Sequence, residues 1–287
     1  MRIAGCLLMM LVMLTSPERT TAAAASALRT WSMSVVPSLF PYMVMCRMLS
    51  RQLAGRRLSP ALAAAGMGLL GGSPSGAAVL GSYAQQGRLR RDALLPLCAL
   101  TGTISPMFML GMAGGWLGGG RTAVCLLAAH MLAAALSAGL VRLLTAGRGQ
   151  HAAQEDQVCA PASGAAEPVT DSVRAILSVG GCIVFYSVVA EGITVLLPLP
   201  GAAAALLHGI LEAAGGAHAI CCAGFSPVTG AVLVSAVCGF GGVSILSQNL
   251  LFVRAYGVHM RQLVLTGLLR AALAAALMAL FLPLFPL

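Results

Sequence analysis

Lysine is absent from the chain, and all 17 of its basic residues are arginine. Catalysis through a lysine Schiff base or a Ser/Lys dyad is therefore excluded. Charge of either sign is scarce, because Asp, Glu, Lys and Arg make up 9% of the residues, against about 25% in soluble proteins. With 59% hydrophobic residues and a mean hydropathy of +0.91, the composition predicts an integral membrane protein.

Motifs of the common catalytic and metal sites are also missing. The sequence contains no HExxH, GxSxG or paired-Asp motif, and its nine cysteines have no CxxC or Cys/His ligand spacing. We therefore expect no enzymatic activity, no metal and no cofactor. The arginines are scattered between apolar runs and are not interleaved with aromatic residues, which argues against nucleic acid as a partner.

Long apolar runs recur over residues 7–287. A helix needs ~20 apolar residues to cross a bilayer, and its backbone groups must be satisfied within the segment. The runs therefore predict an all-α, polytopic membrane protein with the lipid bilayer as its partner. The first run, 3–14, is typical either of a signal peptide or of an uncleaved first transmembrane helix; we favour the helix, because the rest of the chain is membrane-embedded.

The stretch GGSPSG, residues 71–76, interrupts one apolar segment with helix breakers. The arms on either side, 60–70 and 77–86, are about half the ~20 residues that a span needs. They predict a re-entrant hairpin over 59–87, with its tip buried in protein or lining a cavity. Arginines on both sides place both ends in the cytoplasm: Arg47, Arg51, Arg56, Arg57, Arg88, Arg90 and Arg91.

A similar pattern occurs later in the chain. Residues 59–76 and 226–242 both begin with Ser-Pro and end in a glycine-rich break, which predicts a second hairpin over 226–254. Residues 36–49 also align with 180–193, although chance explains that match equally well. The halves, 1–146 and 173–287, are joined by a polar linker, 147–172, and we interpret them as an internal, probably inverted, repeat.

Polar residues at these breaks are the candidate solute-binding site. Hydroxyls and free amides at the amino ends of half-helices favour an anion. Since no arginine is expected near either tip, the helix ends alone would supply the positive charge; the alternative is that the glycines only permit close helix packing. The predicted residues are Ser73, Ser75, Gly76, Ser105, Gly241, Gly242, Ser244, Gln248 and Asn249.

Glu212 is the candidate for proton or ion coupling, because a carboxylate inside a membrane is costly. It follows His208 by four residues, so the two would share one face of a helix. The alternative is an interfacial residue whose carboxylate reaches water. Glu191 is a third candidate for coupling, although a paired or snorkelling role suits it better, and His130 is assigned to helix packing.

Six segments resemble the sporulation integral membrane protein family, which contains the nucleoside-recognition (Gate) domain. The resemblance covers roughly residues 30–285, but the family pattern has Thr-Asn where this chain has Ala213 and Ala214, which puts the polar contacts of that pair in doubt. The segments are VVPSLFPYMV, GGSPSGAAVLGSYAQQGRL, TGTISPMFMLG, ILSVGGCIVFYSVV, HGILEAAGG and CGFGGVSILSQ.

The resemblance implies a bacterial cell-membrane protein that takes part in spore formation. It suggests a transporter or permease component for a small anionic metabolite such as dipicolinate, in the membrane surrounding the forespore. Two alternatives remain: a non-transporting membrane scaffold for other sporulation proteins, and a nucleoside transporter, since Gate domains also occur there. The sequence leaves open whether the protein forms a homo-oligomer or binds other sporulation proteins.

Overall fold

The computed structural model describes residues 2–54, 59–146 and 167–284. Within these ranges every regular element is a helix, and six segments are long and apolar enough to cross a membrane. These spans are Pro17–Leu49, Arg91–Trp116, Gly120–Thr145, Pro168–Leu196, Pro227–Tyr256 and Met260–Leu284.

Three of the six spans contain more than one helical segment. The helices are α1 (Arg2–Thr15), α2 (Pro17–Thr30), α3 (Val36–Ala54), α4 (Pro60–Gly71), α5 (Ser75–Gln85), α6 (Arg91–Thr101), α7 (Pro106–Phe108), α8 (Gly114–Trp116), α9 (Gly120–Thr145), α10 (Pro168–Leu196), α11 (Gly201–Leu211), α12 (Ala213–Cys222), α13 (Pro227–Phe240), α14 (Gly242–Val253) and α15 (Met260–Leu284). Wider π-helical turns join α2 to α3 and α7 to α8.

The two halves repeat one order of elements. Each contains a span, a pair of short helices, a broken span and an unbroken span. In the first half these are α2–α3, α4 with α5, α6–α8 and α9; in the second they are α10, α11 with α12, α13–α14 and α15. Three spans per half is an odd number, which is what an inverted repeat requires if the short helices do not cross.

The first pair of short helices, α4 and α5, forms the predicted hairpin. Gly72 turns the chain with a φ of +65°. The arms approach so closely that a Cβ on Gly76 would lie 2.8 Å from the Gly68 Cα. Gly72 therefore supplies the positive φ of the turn, which glycine adopts without strain. Gly76 lies inside α5, where its small size lets the two arms pack closely.

The second hairpin consists of α11 and α12 and not of residues 226–254. A Cβ on Gly216 would clash with the Gly209 Cα, so these arms pack as closely as those of the first hairpin. In contrast, α13 packs on α15 and α14 packs on α5, and the two do not pack on each other. The prediction of a hairpin at 226–254 is wrong because Gly241 interrupts one span of 30 residues without reversing it.

The amino-terminal helix α1 has 14 residues, about 21 Å at 1.5 Å per residue. It is shorter than the ~30 Å hydrocarbon core, so α1 is too short for the spanning helix that the sequence favoured. It packs on α10, where Met9 and Val12 cover Gly192. Linker residues 147–166 lie outside the described ranges, and α10 already begins at Pro168.

Candidate functional site

A buried cavity of about 50 Å³ lies where the two halves meet. Its polar lining comes from both hairpins and from both broken spans, while α3 and α10 supply mostly apolar side chains. Five predicted site residues line it together: Ser73, Ser105, Glu212, Ser244 and Gln248. Ser38, which the sequence did not single out, lines it as well.

The tip of the first hairpin rests on the break in the following span. The Ser73 amide donates to the Thr103 carbonyl at 2.7 Å, and a Cβ on Gly72 would lie 2.6 Å from the Ser105 amide nitrogen. Ser105 caps α7 by accepting from the Phe108 amide at 3.3 Å. The break predicted at TGTISP is therefore the docking point of the hairpin tip.

Two polar residues of α14 complete the contact between the halves. The side-chain amide of Asn249 donates from Nδ2 to the Ser73 hydroxyl at 3.0 Å, across the interface between the repeats. The adjacent Gln248 donates to the Ser244 hydroxyl at 3.2 Å. Asn249 Oδ1 is buried without a hydrogen-bond partner in the described part of the chain. Hydroxyls and amides from sequence-distant breaks thus form one polar cluster.

Glu212 is the tip of the second hairpin and caps α12. Its two carboxylate oxygens accept from the amides of Ala214 and Gly215. Only 3% of the residue is exposed, so the interfacial interpretation of Glu212 is wrong. The shared helix face with His208 is also wrong, because α11 ends at Leu211 and Glu212 has extended backbone angles.

Several helix ends point to this cavity. Ser73 lies two residues before the start of α5, Ala213 and Ala214 open α12, and Ser244 lies in the first turn of α14. All four residues line the cavity. Helix amino ends carry partial positive charge, so α5 and α14 direct positive potential into this small space. At α12 the Glu212 carboxylate already accepts from the first amides and offsets that charge while it is ionised.

Arg270, in the middle of α15, donates hydrogen bonds to the carboxyl-terminal turns of the two helices that end at the breaks, α6 and α13. Its Nε donates to the Gly239 carbonyl at 2.6 Å, and its Nη1 donates to the Ala99 carbonyl at 3.0 Å. These carbonyls belong to the last turns of α13 and α6. With 1% of its surface exposed, Arg270 joins the two broken spans inside the protein.

Arg270 overturns the expectation that no arginine lies near the breaks. A Cβ on Gly102 would lie 3.1 Å from Arg270 Nη1, and one on Gly241 would lie 3.9 Å from Nη2. The sequence indicator was present, since an ionisable residue in the centre of an apolar span marks a functional or structural site. It was missed because Arg270 is far from both glycine-rich breaks in the sequence.

His130 of α9 supports the first break from the other side. Its Nε2 accepts from the Ile104 amide at 3.2 Å, so the ring is neutral with its proton on Nδ1. Both Nδ1 and the Thr103 hydroxyl are buried without a partner in the described residues. His130 is therefore more than a helix-packing residue, because it satisfies an amide that the helix break leaves free.

The remaining predicted residues do not line the cavity. Ser75 and Gly76 lie inside the first hairpin, next to Gly71 and Thr101 respectively. Asn249 acts through Ser73, and Gly241 lies beside Ile245. Gly242 packs on the tip at Glu212, whereas His208 lies one turn before it. Glu191 pairs with Arg19 at 2.7 Å near the protein surface.

We predict that Gly76→Val reduces the yield of folded protein. Its side chain would overlap the Gly68 backbone and Thr101, both within 3.0 Å of the new Cβ, and overpacking of this kind costs about 1–3 kcal/mol or more. Ser75→Ala, at the neighbouring position, should leave both yield and solute affinity unchanged. Size-exclusion yield and a binding isotherm for each variant test this; a Ser75→Ala protein with weakened affinity would put that hydroxyl back in the site.

Comparison with known proteins adds one relative. The chain is 24% identical over 324 aligned positions to the sporulation integral membrane protein YlbJ of Bacillus subtilis (strain 168), an alignment that covers 94% of this chain and 79% of YlbJ. No family model matches the chain, and no solved structure matches it. No group of His, Cys, Asp and Glu in the described residues could hold a metal ion. The chain is an integral, multi-pass helical membrane protein, similar over almost its whole length to a sporulation membrane protein.

Proposed function

We propose that this protein is a transporter or permease component that moves a small anionic metabolite across a bacterial membrane. The observation that carries the proposal is the polar cavity where the hairpin tips and helix breaks of both halves converge. Buried polar groups are costly in a membrane and mark solute or ion pathways. Discontinuous helices meeting at the interface between repeats are the usual architecture of a transporter binding site.

The charge of the proposed solute follows from the helix ends. The amino ends of α5, α12 and α14 are directed to the cavity, and the carboxyl ends of α6 and α13 are turned to Arg270. When Glu212 is protonated, this separation leaves positive potential in the cavity and keeps the negative helix ends away from it. An anion would be stabilised there without a lining arginine.

Glu212 would couple anion movement to a proton. An ionised carboxylate in the cavity wall repels an incoming anion, and the low dielectric of the interior makes that repulsion strong. Protonation of Glu212 removes the repulsion, so proton and anion would bind together. In this proposal the solute enters with a proton on Glu212 and leaves when that proton is released.

The cavity volume implies that the solute site is closed in this structure. A space of about 50 Å³ accommodates only a few water molecules, whereas sites for small ligands usually exceed ~300 Å³. The walls would therefore separate to admit a solute. Such a movement would break the hydrogen bond from Asn249 to Ser73, because that bond joins the two halves directly.

The relative's name extends the proposal to spore formation. The similarity to YlbJ supports a role in spore formation. The resemblance to the Gate-containing sporulation family suggests a planar dicarboxylate such as dipicolinate as the solute. We take the protein to act without catalysis. A sporulation scaffold and a nucleoside transporter are the two competing functions, and both make distinct binding predictions.

Solute-dependent thermal stabilisation of the purified protein distinguishes these functions. A ligand at 100 times its Kd adds about 2.7 kcal/mol to the free energy of unfolding. Dipicolinate should therefore clearly raise the midpoint temperature of thermal unfolding. The neutral diamide of the same ring is the matched control and should have little effect. Stabilisation by uridine alone would favour the nucleoside transporter, and stabilisation by none of the three would favour the scaffold.

A further inference from the structure

A second and larger cavity lies along α6, the first segment of the first broken span. It has a volume of about 630 Å³ and is formed by α4, α6 and α9. Small and aliphatic residues dominate the lining, among them Ala61, Leu97, Leu100 and Gly139. Two arginines, Arg90 and Arg142, line it as well. We refer to this space as the α4–α6–α9 cleft.

The cleft runs from a charged end to an apolar end. Arg90 directly precedes α6, and Arg142 lies in the last turn of α9. Leu100 is ten residues beyond Arg90 along α6, about 15 Å at the helical rise. The arginines therefore lie where two spans end, at the level of lipid headgroups, and the apolar lining continues about half-way into the hydrocarbon core.

The charges at the mouth of the cleft are unequal. Asp92 accepts from Arg90 through both carboxylate oxygens, at 3.0 Å from Nε and 2.9 Å from Nη2, so those two charges largely cancel. Arg142 forms no ion pair with any residue in the described ranges 2–54, 59–146 and 167–284. The mouth therefore has an excess of positive charge, centred on Arg142.

We propose that the α4–α6–α9 cleft binds an anionic phospholipid. A guanidinium recognises a phosphate oxygen well, and basic pockets between transmembrane helices accommodate acidic lipid headgroups. The small apolar residues below Arg142 accept an acyl chain, which a free anion in water does not have. Charge and apolar depth together thus fit a lipid, at a place separate from the cavity between the two halves.

The test compares phosphatidylglycerol with phosphatidylcholine on the full-length protein in nanodiscs or by native mass spectrometry. Phosphatidylglycerol should bind more tightly to the wild type, and Arg142→Gln should weaken it about fivefold, the contribution of one basic residue near an anionic headgroup. Arg121→Gln, at the opposite end of α9, is the matched control and should leave binding unchanged. Asp92→Asn should strengthen binding, because it removes the negative charge from the mouth.

A second variant separates the cleft from general attraction to the protein surface. Gly139 is exposed and a Cβ there meets nothing within 4 Å, so Gly139→Leu can fill the cleft without a clash or a change of charge. It should reduce phosphatidylglycerol binding severalfold, whereas Gly181→Leu on α10, equally free of neighbours, should not.

Three results would overturn the proposal. The first is equal binding of the two lipids, or unchanged binding by Arg142→Gln and Gly139→Leu. The second is competition by inorganic phosphate as strong as that by phosphatidylglycerol, which would make the cleft a site for free anions. The third is lipid binding that arises only when the acidic linker residues Glu155 and Asp156 are neutralised by Glu155→Gln and Asp156→Asn, which would mean that the linker competes with lipid for the arginines.

Discussion

Arg270→Met should leave very little folded protein, the largest effect that we expect from any single substitution in the chain. The change removes the donors to the carbonyls of Gly239 and Ala99. Each buried acceptor left without a partner costs about 1–3 kcal/mol, and membrane lipid offers no replacement donor. The expected loss, about 2–6 kcal/mol, is a large part of the roughly 5–15 kcal/mol by which folded proteins are usually stable.

Thermal unfolding in detergent or nanodiscs measures this loss. Arg261→Met, on an exposed turn of the same helix, is the matched control, and we expect it to stay within about 0.5 kcal/mol of wild type. Arg270→Lys should be intermediate, because an ammonium keeps the charge but cannot reach two carbonyls with the fixed fork of a guanidinium. An Arg270→Met protein as stable as wild type would show that Arg270 does not hold the two breaks together.

Glu212→Gln should abolish accumulation driven by a proton gradient while leaving the protein folded. The amide oxygen still accepts one of the two hydrogen bonds from the start of α12, so part of the cap is retained. The side chain can no longer gain or lose a proton, so a gradient has no group to act on in the cavity wall. Passive exchange of labelled solute should continue, since glutamine resembles the protonated glutamate.

Two further substitutions isolate the role of that proton. Glu212→Ala removes the whole cap and should cost about 0.5–2 kcal/mol of stability, whereas Glu212→Gln should lose less because it keeps one of the two capping hydrogen bonds. Glu191→Gln, on the surface next to Arg19, should leave gradient-driven accumulation intact. If Glu212→Gln accumulates solute as the wild type does, Glu212 is only a helix cap.

Much of this arrangement could be predicted from local sequence. Composition and apolar run length determine the helical membrane class, because the bilayer allows few alternatives. The GGSPSG tip and the TGTISP break were found because clustered glycine, serine and proline favour a helix interruption. Ser73, Ser105, Ser244 and Gln248 were chosen for their proximity to such breaks, and the structure brings all four to one cavity.

The errors arose where tertiary contacts decide the geometry. Glycine-rich breaks look alike in sequence whether the chain reverses, as at Gly72, or continues, as at Gly241, because the choice depends on which helices pack on each arm. The second hairpin turns at Glu212, where one extended residue replaces a glycine-rich tip. Arg270 and His130 were missed because each acts on a break more than 20 residues away in the sequence.

Uptake by proteoliposomes that contain only the purified protein tests the central claim most directly. Labelled dipicolinate should accumulate when a proton gradient is imposed in the favourable direction. Folded Ser244→Leu protein, whose added side chain fills the cavity between the halves, should take up no more than empty liposomes, whereas Gly181→Leu should match the wild type. Wild-type uptake equal to that of empty liposomes, with gradients of either direction, would contradict the account.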